Sequence, residues 1–327
     1  MAEAPPPHWP GQLVDAARGQ LFVRRAPDPL AGTRRRLAGA SGAPVNNGAG
    51  EPAVFVHGLG GSSTNWTDLM DLLGQPPHGL ACAAVDLPGF GFSPPPADRD
   101  YTIAAHASAV IDLIESQHTW PVHLVGNSMG GAVATVVAGH RPDLVRTLIL
   151  ISPAMPDLRP RPLPLRLAVV TIPGVGQEIM RRLSQISAED RADLTIADTF
   201  ANPANMHPMR RNEEIEEFRR RDRLGYADDA LIRSARGLVA EYFRPGPKAL
   251  WRDARRTAAP VLVLYGSEDK LVNPVMAGKA ARSFRRARVV VLPGVGHVAM
   301  MERPAMVAAE IGSFLDRTRA VAQTSAC

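Results

Sequence analysis

The sequence predicts an α/β fold: a mostly parallel central sheet with helices on both faces and an inserted helical lid. Three observations carry that expectation. Short apolar or β-branched runs at 53–56, 82–85, 121–125, 146–151, 260–265 and 287–292 alternate with segments of helical periodicity. Several of these runs end in a loop marked by glycine or proline. Between 155 and 256 the alternation stops, and a proline-rich, charged, helical texture replaces it. Strands that alternate with helices imply a parallel sheet covered on both faces.

Composition sets the outer limits. At 327 residues, 45% apolar and 21% charged, the chain reads as a globular protein with room for a full core and a second lobe. The net charge of +5 comes almost wholly from arginine, since only Lys248, Lys270 and Lys279 are lysines. No basic patch is interleaved with aromatics, so no nucleic-acid partner is expected. Cys82 lies in an apolar run and Cys327 is the last residue, which gives no disulfide framework and points to a reducing compartment. Residues 1–11 are proline-rich without an apolar h-region, and no apolar run approaches the ~18 residues of a membrane helix. The expectation is a cytoplasmic protein without stable membrane insertion.

Residues 1–50 read as an N-terminal extension: a disordered start over 1–12, a short strand at 20–24, and a flexible loop over 27–50. The Arg34-Arg35-Arg36 triplet in that loop has two readings, a nucleic-acid contact or a solvated loop. The core is expected over 51–154 and 257–319, the lid over 155–256 and a tail over 320–327. The strand at 53–56 leads into His57-Gly58-Leu59-Gly60-Gly61, and a helix follows over 65–73. The strand at 82–85 ends in Asp86-Leu87-Pro88-Gly89-Phe90-Gly91-Phe92-Ser93. Thr102 caps a helix whose apolar positions 103, 107, 110, 111 and 114 share one face. In the lid, Ser187 with Asp190 marks a helix start, 213–221 is charged and helical, and Asp228-Asp229 open a further helix. The alternation resumes at 260–265, which ends in Gly266-Ser267-Glu268-Asp269. The strand at 287–292 ends in Pro293-Gly294-Val295-Gly296-His297, and a helix over 302–319 closes the core.

The chemistry centres on Gly126-Asn127-Ser128-Met129-Gly130, which reads G-x-S-x-G between a strand and a helix. A serine on so sharp a turn brings the residues two positions either side close to it, so they must lack side chains. A free hydroxyl is a weak nucleophile and needs a base. His297 follows a strand in a glycine loop and is the candidate; His57 is the rival. The histidine needs a carboxylate to fix its tautomer. Asp269 ends the preceding strand, with Glu268 beside it and Glu302 further on as alternatives. The strand after the elbow ends Ile151-Ser152-Pro153, where no acid is available. A developing oxyanion needs two N–H donors. Met129, after the nucleophile, and Leu59, in the early glycine loop, are the candidates.

The order serine, aspartate, histidine, with H-G-x-G early, resembles the α/β-hydrolase superfamily over residues 51–319, with the lid loosely matched. The resemblance implies the α/β-hydrolase fold, with Asp86-x-Pro88-Gly89-x-Gly91-x-Ser93 as a structural turn near the site. A serine rather than an aspartate at 128 separates the chain from similar epoxide hydrolases and haloalkane dehalogenases and suits acyl transfer. The leading expectation is therefore a serine esterase acting on a small, apolar carboxylic ester. The elbow also resembles that of carbon–carbon bond hydrolases of meta-cleavage products, although Val298 stands where those enzymes usually carry tryptophan. A haloperoxidase-like peracid activity is a third reading, and a non-catalytic ligand-binding protein on the same fold is the alternative of another class. No His/Cys/carboxylate cluster has metal-ligand spacing, and no phosphate or dinucleotide fingerprint occurs, so no metal and no cofactor are expected. The apolar residues Leu165, Leu167, Val169, Val170, Ile172 and Val175 either pack the lid onto the core, wall the pocket or face lipid. The lid arginines either meet an anionic substrate or form a solvated face.

Overall fold

The computed structural model describes residues 5–25, 50–118, 120–157, 168–244 and 249–324. Among them, one sheet runs through the molecule. Its strands are β1 (Gly11–Ala16), β2 (Gly19–Arg25), β3 (Pro52–Val56), β4 (Ala81–Val85), β5 (Val122–Asn127), β6 (Val145–Ile151), β7 (Val261–Gly266) and β8 (Ala287–Leu292). Their order is β1-β2-β4-β3-β5-β6-β7-β8. From β4 to β8 all neighbours are parallel, while β1 and β2 form an antiparallel hairpin on the β4 edge. Every residue of β5 and β7 is buried, because helices cover both faces of a parallel sheet.

The helices are α1 (Thr67–Gly74), α2 (Ile103–Gln117), α3 (Met129–His140), α4 (Val175–Leu183), α5 (Ala188–Thr199), α6 (Pro208–Arg221), α7 (Ala227–Phe243), α8 (Ala249–Arg256), α9 (Met276–Ser283), α10 (Ala299–Glu302) and α11 (Pro304–Thr324). On one face, Ile103, Ala107 and Val110 of α2 pack with the small residues of α3 and with Trp251 of α8. On the other face, Trp66, Leu69 and Leu73 meet Val307, Ile311 and Phe314 of α11. The α2 start follows its sequence signal, since Thr102 Oγ1 accepts the Ala105 N–H at 3.1 Å. Ser187 does the same for Asp190 at 3.0 Å at the head of α5.

Helices α4 to α7 lie between β6 and β7, in the segment that the sequence marks as a lid, or cap. Helix α7 crosses α2 at Gly237, where a Cβ would press on the Tyr101 carbonyl and the Thr102 backbone. Beside that crossing His106 Nε2 and Ser234 Oγ lie 3.1 Å apart. Arginines tie the cap helices together: Arg191 meets Asp222 at 2.5 Å, Arg211 meets Asp193 at 2.6 Å, and Arg219 pairs with Glu189. Arg210 joins α6 to the core through Asp68 at 2.5 Å. These arginines are spent on pairs inside the protein rather than left open for a substrate. Val169, Ile172 and Val175 are exposed, so they do not pack the cap onto the core; Leu165 and Leu167 lie outside the described residues.

The structure redraws the boundaries at both ends of the chain. Residues 11–25 belong to the sheet, not to an extension. Residues 5–10 are held as well: Trp9 is buried, and Pro6 O accepts from Arg210. The loop expected at 27–50, with its arginine triplet, lies outside the described residues except for Gly50. Helix α8 packs against α3 in the core, where Asp253 lies over Gly139. The lid as read from the sequence therefore ran one helix too far. Helix α9 was not expected, and α11 starts at Pro304 and continues to Thr324.

Candidate active site

Strand ends deliver the loops at 57–61, 86–93, 126–130, 266–270 and 293–297 to one edge of the sheet, where open α/β sheets bind ligands. At the end of β5, Ser128 adopts φ 53° and ψ −119°, a strained conformation for a residue with a side chain. Its backbone is tied down on both sides. The Ser128 N–H donates to Ile151 O at 3.1 Å, and Ser128 O accepts from Gly131 and Ala154 at 2.9 Å each. The glycine spacing has a steric cause. A Cβ at Gly126 would strike the Gly130 carbonyl, and one at Gly130 would strike the carbonyls of Val56 and His57. Ser128 itself is half-buried at the head of α3.

The early glycine loop lies against this elbow. A Cβ on Gly58 would stand 3.1 Å from the Ser128 Cβ. Gly61 N–H closes the turn on Gly58 O at 3.1 Å, with Gly60 at φ +74°. Among the described residues, the N–H groups of Leu59 and Met129 donate to no protein acceptor. Free donors on either side of a nucleophile are what an oxyanion requires. His57 braces the loop from beneath. Its Nδ1–H donates to Gly58 O at 2.7 Å, and its Nε2 accepts the Leu87 N–H at 3.0 Å. Burial pushes its pKa down, with the Asp86 charge opposing, so it is held as a neutral ring with both nitrogens occupied. Asp86 fixes the adjoining turn by accepting from Ser63 N at 2.6 Å and Phe92 N at 2.8 Å.

On the far side, His297 Nδ1 lies 2.9 Å from Asp269 Oδ2, and both side chains are buried. Asp269 Oδ1 accepts the Leu271 and Val272 N–H groups at 2.8 Å each. Burial would raise the Asp269 pKa. The His297 charge, its hydrogen bond and the Val272 N–H outweigh burial and hold the carboxyl below its ordinary value. Glu268 is exposed and takes no part in this contact. Glu302 makes no contact with the His297 ring: its carboxylate accepts the Gly296 N–H at 2.7 Å and donors from the cap.

The elbow and the histidine loop are joined by a residue the sequence had not singled out. Asn127 Nδ2 donates to Ile151 O at 3.0 Å and to His297 O at 3.2 Å. Among the described residues no hydrogen bond links the Ser128 hydroxyl to His297, a contact that commonly tightens only around a substrate. Asn127 sits inside the recognised motif, but its role depends on a residue 170 positions away. Beside the glycine loop, a cleft is lined by Gly60, Gly91, Glu217, Arg220, Arg221 and Leu224, among others. Arg221 Nη1 donates to Gly60 O at 3.1 Å, the one hydrogen bond of this side chain among the described residues. Among the described residues, no group of three or more His, Cys, Asp or Glu could hold a metal, and no helix is long and apolar enough to cross a membrane.

The family model described as the alpha/beta hydrolase fold matches residues 52–304. A 2-hydroxymuconate semialdehyde hydrolase of Pseudomonas sp. (strain CF600) is 28% identical, over 85% of this chain and 91% of that protein. Lipase 3 of Moraxella sp. (strain TA144) is 24% identical, over 83% of this chain and 79% of that protein. Among solved structures, a meta-cleavage product hydrolase of Pseudomonas fluorescens IP01 superposes with a TM-score of 0.70 at 16% identity, covering 94% of this chain and 98% of that one.

Proposed function

The chain belongs to the α/β-hydrolase family and is a hydrolase; from that premise we propose that it cleaves carboxylic esters through an acyl-enzyme on Ser128. In this reading the Ser128 hydroxyl attacks the ester carbonyl while His297 Nε2 takes its proton. Asp269 keeps the other ring nitrogen protonated and stabilises the imidazolium. The Leu59 and Met129 N–H groups stabilise the tetrahedral oxyanion. His297 then protonates the departing alcohol, and water, activated by the same ring, releases the acid. The observation that carries the reading is the strained Ser128 between two unpartnered N–H donors, opposite a buried Asp269–His297 pair at 2.9 Å. The similarity to Lipase 3 supports ester chemistry. The test is hydrolysis of short p-nitrophenyl esters by the full chain. Activity should vanish in Ser128→Ala; unchanged activity there rejects Ser128 as nucleophile.

A second reading, hydrolysis of a carbon–carbon bond in a carboxylate-bearing dienoate, has its own support. It rests on the 28% identity to the semialdehyde hydrolase and on Arg221 beside the oxyanion loop. A guanidinium has further donors beyond the one given to Gly60, and these suit a carboxylate. Loss of colour from a meta-cleavage dienoate, faster than ester hydrolysis, would favour this reading.

A further inference from the structure

The cap meets the core at a place no motif marks. Helix α5 ends at Thr199, and its last carbonyls face the two loops that carry Asp269 and His297. Lys270, next to Asp269, donates from Nζ to Ala197 O at 2.6 Å and to Phe200 O at 3.1 Å. The His297 N–H donates to Thr199 O at 2.7 Å. The carbonyls at a helix C-terminus lack partners within the helix, so an ammonium and a backbone donor are favourable there.

Glu302 completes the junction. Its side chain is buried, and its Oε2 accepts from Gly296 N at 2.7 Å and Ala201 N at 3.1 Å. Its Oε1 accepts from Asn202 N at 3.0 Å and Asn205 Nδ2 at 3.1 Å. One donor belongs to the histidine loop and three belong to the turn after α5. Gly296 lets the two backbones touch, since a Cβ there would strike Thr199 O and Ala201 N. A buried carboxylate with four donors is a fixed anchor, because removing it leaves each donor unsatisfied.

We propose that the C-terminal end of α5 and the turn that follows act as a positioning element for the catalytic base, with Glu302 and Lys270 as its positioning residues. The cap then does more than cover a pocket, because it sets where His297 and Asp269 stand. Neither residue touches substrate; both act through the backbones of the two loops. The inference rests on the reading of His297 as the base.

The test uses the full-length chain and a fluorophosphonate probe, which reports base-activated serine without knowledge of the natural substrate. Two quantities are read: the labelling rate constant and the final stoichiometry per chain. In Glu302→Gln the rate should fall at least tenfold while stoichiometry stays at one, and ester kcat should fall with KM within twofold. Lys270→Met should slow labelling about threefold, and Lys270→Arg, which keeps a cation at the helix end, should restore it. Reduced stoichiometry at an unchanged rate would mean these residues only keep the chain folded, and would overturn the proposal. So would rates within twofold of wild type in both Glu302→Gln and Lys270→Met. If Glu302→Gln does not fold, the exposed Lys270 pair of variants decides alone. A wild-type chain that does not label at Ser128 removes the serine-hydrolase reading itself, and this inference falls with it. That failure shows in the wild type, before any variant is compared.

Discussion

Replacing Asp269 by asparagine changes one atom type and leaves the volume unchanged, so its effect isolates the protonation pattern. The asparagine carbonyl can still accept the Leu271 and Val272 N–H groups, which now reach Oδ1 at 2.8 Å each. The amide nitrogen then occupies the position 2.9 Å from His297 Nδ1. It is a donor, so it selects the tautomer with a lone pair at Nδ1 and the proton at Nε2. That nitrogen can no longer accept the Ser128 proton. The expected loss in kcat is about 10⁴-fold, or about 5.4 kcal/mol at about 1.36 kcal/mol per factor of ten. Residual turnover would come from the oxyanion donors and binding. The assay is kcat for a p-nitrophenyl ester, normalised to active sites by fluorophosphonate titration. Glu268→Gln is the control, because Glu268 is exposed and outside the contact; its kcat should stay within about twofold. The reasoning fails if Asp269→Asn keeps more than a tenth of wild-type kcat, or if Glu268→Gln loses as much.

Four further outcomes follow from the same geometry. Because the folded Asp269 pKa is depressed, its contribution to stability is present above the ordinary carboxylate value of about 4 and is lost as pH falls through the folded value; urea unfolding of wild type and Asp269→Asn should therefore converge as pH drops through that range. Gly130→Ala should cost about 3 kcal/mol or more in urea unfolding, since the added methyl meets two backbone carbonyls that have no side chain to move; a loss under 1 kcal/mol would contradict the packing. His57→Ala leaves the Leu87 N–H without its acceptor, removes one of the two donors to Gly58 O, and should destabilise by about 1–3 kcal/mol, yet Ser128 should still label with fluorophosphonate; complete loss of labelling in a folded variant would make His57 the base. Burial pushes the Cys82 thiol up, so in a Cys327→Ser background DTNB should react only after unfolding.

The loops that gather at the sheet edge were legible because their signals are local. Gly126 and Gly130 flank Ser128 and Gly58 adjoins Leu59, so each can be read beside the group it serves, although the backbones that Gly58 and Gly130 approach lie far off in the chain. The hairpin β1–β2 was missed at its first strand because β1 buries no residue fully: only Val14 and Ala16 touch the core, both partly buried, and Leu13 is half exposed. Such an edge strand carries no apolar alternation to read. Helix α9 escaped because its sequence MAGKAARS buries only Met276, Ala280 and Ser283, too few positions for a periodic stripe. Helix α8 was assigned to the lid with the proline-rich, strand-free segment that precedes it, but its Leu250, Trp251 and Ala254 pack against the core. Glu302 was readable only as a spare carboxylate, because three of its four donors lie about 100 residues away on Ala201, Asn202 and Asn205.

Strand order explains why the proposed base needs outside help. Neighbouring strands lie about 4.8 Å apart, so adjacency decides which loops meet without effort. β3 is next to β5, which sets the Leu59 loop against Ser128 directly. β7 is next to β8, which sets Asp269 against His297 in the same way. β8, however, is three strands from β5, or about 14 Å across the sheet edge. The histidine loop must therefore fold back over the ends of β7 and β6 to approach the elbow. Its arrival is marked by Asn127, whose amide reaches Ile151 O and His297 O together. A short glycine loop spanning that distance would be poorly fixed by its own strand. Gly296 and His297 are fixed instead by Glu302 and by Thr199 of the cap, so the part of the site farthest from its strand is also the part that the inserted helices hold.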